Sequence, residues 1–451
     1  MRGFLLDLNR CTGCHACLLA CGIENGLGED KSWRQVYTFN LQRRVGVSRF
    51  HLSLGCLHCA DAACMRSCPA AAYSRHPYTG AVLINTGLCI GCKYCSWACP
   101  FDAPRYNHVT GTISKCTFCN DRLLEGRNPA CTTLCPTGAL QFAELPAQPA
   151  VEGVPGFPEA GTGPAIQFVP LRSAAAGPEL SAAPDEHSAV ADMQTLEVAP
   201  APKVTIESEW SLVFFSIATA LLVAIASAAA AGSMQIGAPD FLIAALGALG
   251  VSVLHLGKWQ RAWRGVLNLR HSWLSREIFL YLAFTVLTAT MLFFPASAPA
   301  LAWPAVLSGF GGLFCIDQVY ESVSRDKWLR LHSGRAILTG LFLFGILAAN
   351  PVISGLTGFL KLVLYSYRQS WFKSNARAMA SVMRLGLGIV APLAIWKVYP
   401  DWVLPSVLVA EVIDRCEYYL DLDIMTPQLR IAMDLQSRTA ELRPPASDPR
   451  P

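Results

Sequence analysis

Charge is sparse in this chain, histidine is scarce, and cysteine almost vanishes from its second half. Only 15% of the 451 residues are charged, the formal net charge is +4, and there are nine histidines. So mild a net balance gives no sign of a nucleic-acid partner, and none is expected. Past residue 143 only Cys315 and Cys416 remain, without neighbouring thiols, and both read as small buried residues. No secretory or twin-arginine leader is expected either, because Met1-Arg2-Gly3-Phe4 runs straight toward Cys11. That weighs against an exported domain stapled by disulfides.

What is there falls into two unlike halves. Residues 1–143 carry 16 of the 18 cysteines, with 14 Lys/Arg against 8 Asp/Glu. The cysteines form four blocks: Cys11, Cys14, Cys17, Cys21; Cys56, Cys59, Cys64, Cys68; Cys89, Cys92, Cys95, Cys99; and Cys116, Cys119, Cys131, Cys135. Three blocks end in Cys-Pro, at Pro69, Pro100 and Pro136. Thiols this close converge on one centre instead of stapling distant strands. Zinc wants two separated pairs and leaves a third nearby cysteine without a role. The spacing is that of ferredoxins, in which three thiolates grip one cubane and the fourth ligates its neighbour. Four complete blocks therefore predict four [4Fe–4S] clusters with no ligand left over. Short strands at Gly3–Leu8, Ala81–Asn85 and Ala139–Ala143 frame the blocks. The expected fold is a doubled ferredoxin-like α+β domain over 1–143, its interior filled largely by cluster.

Four stretches, Asn9–Cys21, Cys56–Ala70, Leu88–Asn107 and Lys115–Leu140, resemble the four-cluster electron-transfer subunits of the dimethyl sulfoxide reductase family of molybdenum enzymes. The resemblance implies that the first block pairs with the fourth and the second with the third. Cys11, Cys14 and Cys17 would then take Cys135, while Cys116, Cys119 and Cys131 take Cys21. Likewise Cys56, Cys59 and Cys64 take Cys99, and Cys89, Cys92 and Cys95 take Cys68. It also implies a separate molybdopterin catalytic subunit as partner.

Residues 144–204 are rich in Ala, Pro and Gly and show no sustained periodicity. They read as a linker, either a loose tether or an arm lying on a partner. Residues 205–425 hold apolar runs at 210–232, 241–257, 278–294, 299–320, 336–350, 352–367, 385–400 and 402–420. Several fall short of the ~20 residues of a straight span. The 336–367 stretch reads either as two short spans around Asn350-Pro351 or as one long one. The expectation is an all-α polytopic membrane domain of about eight helices in a lipid bilayer, followed by a polar tail over 426–451. Trp210, Trp303, Tyr320 and Trp402 suit interfacial belts. Three loops on one side carry 13 Lys/Arg, from Lys258 to Arg384, against Lys397 near the opposite loops. By the positive-inside rule those loops, the cysteine domain and the tail lie in the cytoplasm, at a bacterial inner membrane. Docking surfaces on the basic loops are the alternative use of that charge.

The stretch His255-Leu256-Gly257, Arg261-Ala262 and Leu274–Ile278 resembles the membrane anchor of dimethyl sulfoxide reductase and of cytoplasmic sulfite-oxidising relatives. That resemblance implies quinone-binding roles for His255, Arg261 and Glu277. Chemistry agrees, since oxidising a quinol releases two protons and needs a titratable acceptor beside the ring oxygens. Asp317, Glu411 and Asp414 lie near the same face and are weaker candidates. Haem is not expected, because only His255 falls in an apolar run while His271 and His332 sit in basic loops. The chain thus reads as a non-catalytic subunit passing electrons between menaquinone or ubiquinone and a separate enzyme. A redox-driven proton-translocating module would need a continuous polar path across the spans. A membrane-tethered ferredoxin for a soluble donor would leave the many spans unexplained.

Overall fold

The computed structural model describes residues 1–28, 32–146, 153–172, 202–325, 327–371 and 378–442. In the amino-terminal part, β1 (Arg2–Asp7) lies between two later strands. It pairs antiparallel with β8 (Leu140–Glu144), Phe4 opposite Phe142, and parallel with β9 (Ile166–Val169), Leu5 opposite Gln167. Three two-stranded ribbons complete the sheet content. They are β2 (Gln35–Phe39) with β3 (Phe50–Leu54), β4 (Tyr73–Arg75) with β5 (Val82–Ile84), and β6 (Arg105–Asn107) with β7 (Thr112–Ser114). Each cysteine block adds a short helix: α1 (Ala16–Glu24), α2 (Ala63–Ser67), α3 (Tyr94–Trp97), and the pair α4 (Asn120–Leu124) and α5 (Ala130–Thr133). Elements this short cannot sustain a large apolar core, which fits an interior organised around cofactors. The three framing strands stand within about two residues of expectation; the β2–β3 and β6–β7 ribbons carry weaker alternation and went unread.

The expected linker is partly docked. Residues 153–172 lie on the cysteine domain: β9 extends its sheet, and Phe157 stacks on Phe101 with ring centroids 5.3 Å apart. Residues 147–152 and 173–201 fall outside the described residues.

Eight helical segments then fall on the eight apolar runs. They are α6 (Ile206–Ala230), α7 (Ala238–Val253), α8 (Trp273–Phe293), α9 (Ala298–Glu321), α10 (Ala336–Leu347), α11 (Pro351–Trp371), α12 (Ala378–Leu385) with its continuation α13 (Ala391–Ile395), and α14 (Val403–Leu420). Among the described residues four stretches are long and apolar enough to cross a membrane: Ile206–Ala230, Trp273–Phe293, Pro295–Glu321 and Ala378–Ile395. α11 and α14 have the length but carry Lys361 and Arg368, and Glu411, Asp414, Arg415 and Glu417. These charges are buried inside the bundle.

The 336–367 stretch is not one long helix. Ala349 takes a positive φ of 47°, and Asn350 Oδ1 accepts from the backbone N–H groups of Val352 and Ile353 at 3.1 Å, capping α11. α10 and α11 fold back on one another, and a Cβ added to Gly358 would sit 3.1 Å from the Phe342 ring. Trp210, Trp303 and Trp402 are exposed as a lipid-interface belt requires, whereas Tyr320 is buried and provides no such anchor. Its ring packs on Trp97, and its hydroxyl accepts from Tyr419 at 2.6 Å.

The tail does not trail away. Thr426 caps α15 (Pro427–Glu441) by accepting from the Leu429 amide at 3.1 Å. The helix lies against β2, Asp434 Oδ2 accepts from the Gly156 amide at 2.7 Å, and Leu435 is buried beside Phe39 and Phe157. Leu435→Ala should destabilise this packing by about 2–4 kcal/mol. The check is a lowered thermal midpoint with retained helical circular dichroism.

Candidate electron-transfer site

Left-handed backbone shapes the cysteine loops. His15, Lys93 and Cys119 stand at φ 62°, 59° and 47°, each at the start of the short helix in its block. That geometry curls each loop so its thiols face inward. The structure brings the blocks together crosswise. Cys56, Cys59 and Cys64 share one cavity with Cys99. Cys68 faces Cys89 and Cys92, Cys21 faces Cys116, Cys119 and Cys131, and Cys135 faces Cys11. Among the described residues no three His, Cys, Asp or Glu side chains converge tightly enough for a single ion. Cys56, Cys59, Cys64 and Cys99 instead line a cavity, as a bulky polynuclear group requires.

Burial opposes bare thiolates here. It pushes the Cys59 thiol up to about 12 and raises Cys64 and Cys95 well above the usual range, with neighbouring cysteines adding to the effect. Four such groups ionise together only around a positive centre, so the residues fit an iron–sulfur cluster. Backbone N–H groups also point at sulfur: Ala72 to Cys68 and Leu140 to Cys135 at 3.4 Å, and Phe118 to Cys116 at 3.3 Å.

The four sets follow one another in a line. Cys131 neighbours Cys17, Cys116 neighbours Cys56, and Cys95 neighbours Cys64. The Cys11 end is the open one, with Cys14 exposed, while Cys89, Cys92 and Cys95 are buried against the helical part.

The docking is backbone-deep. Gly91 and Gly111, at φ +74° and +63°, meet Gly257, and a Cβ on Gly257 would collide with the Gly111 carbonyl. The Lys258 amide donates to the Ile90 carbonyl at 3.0 Å. Gly257→Ala should loosen this junction by about 1–3 kcal/mol. Faster proteolysis within 254–272 of the purified protein is the readout.

The three predicted quinone residues all gather at the third cysteine block. Arg261 donates to the carbonyls of Thr86 and Cys89, at 2.9 and 3.2 Å. Its neighbour Arg264 donates to Gly87 at 2.9 Å, so this basic loop is a docking surface. His255, just past α7, is half-buried near Lys93, with Nδ1 against the Ser252 carbonyl. Glu277 is buried near the start of α8, close to Arg415, Asp317 and Tyr94. Tyr94 lies near both Glu277 and Cys92, and its hydroxyl donates to the Val319 carbonyl at 3.0 Å.

Asp317, Glu411 and Asp414 belong to a buried ion-pair network. Lys361 meets Glu411 at 2.8 Å and Asp414 at 3.3 Å; Arg384 meets Asp414 at 2.5 Å; Arg415 meets Asp317 at 3.4 Å. Buried ionisable residues that escaped sequence reading include Lys361 and Glu209. Lys361 is a lone lysine in an apolar run, which was a usable signal. Glu209, 1% exposed, pairs with Lys93 at 3.3 Å, and its place in the first turn of α6 gave no such signal.

Comparison with known proteins matches residues 47–145 to the 4Fe-4S dicluster domain. The chain is 39% identical to a chain of the anaerobic dimethyl sulfoxide reductase of Escherichia coli over 151 residues, 32% of this chain and 73% of that one. It is 33% identical to a subunit of the sulfite dehydrogenase of Allochromatium vinosum over 197 residues, 37% of this chain and 82% of that one. The formate dehydrogenase-O iron–sulfur subunit of Escherichia coli is 35% identical over 154 residues, 31% of this chain and 51% of that one. Through its amino-terminal third the chain therefore belongs to the family of 4Fe-4S dicluster electron-transfer subunits that includes these reductase and dehydrogenase proteins.

Proposed function

We propose that this chain is the electron-transfer and membrane-anchor subunit of a molybdopterin oxidoreductase complex, linking a membrane quinone to a separate catalytic subunit. One observation carries the reading: the Cys89 set is packed into the apolar core of the helical part, with Tyr94 near both Cys92 and buried Glu277. The four thiol sets are assigned as four [4Fe–4S] sites, with the crossover pairing that the sequence resemblance implies. Bound clusters would supply one-electron carriers along the line of sites.

The remaining work falls to this chain's own residues. Glu277 is the proton acceptor for quinol, and His255 a hydrogen-bond partner for a ring oxygen. Arg261 holds the loop between them against the cysteine domain. The open Cys11 end faces the catalytic partner. The docked basic loops weaken a pure charge argument for sidedness, yet the loops, cysteine domain and α15 all share one face; we assign it to the cytoplasm of a bacterial cell.

A proton-translocating role is less well supported. Among the described residues the ion-pair network reaches mid-helix, at Lys361 and Glu411, and the cavity beyond it is lined by apolar residues such as Phe342, Phe359 and Leu393.

Purification from native membranes followed by metal analysis tests the proposal. Molybdenum co-purifying with about 16 iron atoms per chain is expected, with cluster signals reducible by quinol. Iron without molybdenum, or clusters that quinol cannot reduce, would refute it.

A further inference from the structure

Two buried cations have no role in the site so far. Arg34 and Lys115 are each 2% exposed, and neither meets a carboxylate among the described residues. Arg34 Nη1 donates to the Ser53 carbonyl at 2.8 Å and to Ser53 Oγ at 3.3 Å, and that hydroxyl lies 3.2 Å from Cys17 Sγ. Its guanidinium sits 4.3 Å above the Phe4 ring. Lys115 Nζ donates to the carbonyls of Val82 and Cys116, the latter at 2.9 Å, and lies 3.5 Å from Cys56 Sγ. A buried charge costs several kcal/mol unless something opposite faces it. Among the described residues the cysteine sets supply that opposition.

Their positions are at junctions. Arg34 is surrounded by Cys17 of the Cys11 set and by Cys21, Cys116 and Cys131 of the Cys116 set. Lys115 is surrounded by Cys56 and Cys64 on one side and Cys116 on the other. The third junction, between the Cys56 and Cys89 sets, holds the neutral phenol of Tyr73, beside Cys64, Cys68 and Cys95. Beside the Cys89 set, Lys93 is paired with Glu209, and Arg261 is only partly buried, its guanidinium held on the Thr86 and Cys89 carbonyls. One-electron reduction adds a negative charge to a thiolate-ligated site, and a fixed cation nearby favours that state, especially where water is excluded.

We propose that Arg34 and Lys115 are fixed counter-charges that raise the reduction potentials of the sites they separate, the Cys116 site being held up by both. This role rests on the four-site assignment above. Potentiometric titration of the intact complex, followed by electron paramagnetic resonance, tests it, with signals assigned by single Cys→Ser variants.

Lys115→Met should move the Cys56 and Cys116 signals to more negative potential and leave the Cys89 signal in place. Arg34→Met should move the Cys11 and Cys116 signals instead. Lys115→Arg, which keeps the charge, should restore the native order. Should Lys115→Met fail to assemble, Arg34→Met reads the same rule at the other junction. Unmoved potentials, a uniform shift of all four signals, or iron loss from both Met variants would overturn the proposal. Fewer than four signals in the unaltered protein would defeat the four-site assignment instead.

Discussion

Cys99→Ser should abolish or convert the centre built on Cys56, Cys59 and Cys64 while sparing the one built on Cys89, Cys92 and Cys95. Cys99 stands in the third block by sequence, yet its sulfur lines the cavity of the second. A serine oxygen is a harder and poorer ligand for iron than thiolate. Iron content should fall by up to one cluster, and one resonance signal should vanish or change shape. Because the altered centre lies mid-line, turnover from quinol should fall sharply. An untouched Cys56-centred signal with loss of the Cys89-centred one would reverse the pairing assigned here.

Glu277→Gln should cut quinol-linked turnover by about 10²-fold or more, the usual worth of a positioned proton acceptor. The amide keeps size and hydrogen bonding but accepts no proton. Iron content and all cluster signals should stay as they are, since the groups beside Glu277 are Arg415, Asp317 and Cys315, the last outside the four sets. Reduction by a small artificial donor that bypasses quinone should also persist. Equal loss with both donors would make Glu277 a structural residue, and full retention with quinol would remove it from the site.

The cysteine half was legible because ligand spacing is a local property. Two- and three-residue gaps specify tight loops, and tight loops specify inward thiols. The crossing of the blocks is not local and came only through resemblance. The helical half was legible as hydropathy, run by run, but not as topology. Asn350-Pro351 signalled a break without saying that α10 and α11 would fold antiparallel. Ionisable residues were least legible. Arg261 read as a quinone residue, and its contacts with backbone carbonyls of the third block carried no sequence signal. Lys361 and Glu411 needed each other to be placed, and they lie 50 residues apart in sequence. The tail misled most: α15 is polar by composition, yet Leu435 and Ile431 present one narrow apolar edge to the cysteine domain.

That last helix constrains more than packing. Since α15 returns to the domain from which the chain entered the helical part, the number of membrane crossings must be even, whether α10 and α11 cross or dip. It also sets an order of assembly. The surface around Phe39 and Phe157 receives its cover only after α14 has been made and threaded, so the cysteine domain is closed last by the chain's own late arrival. A protein stalled during insertion would display that apolar patch, and a completed one would hide it.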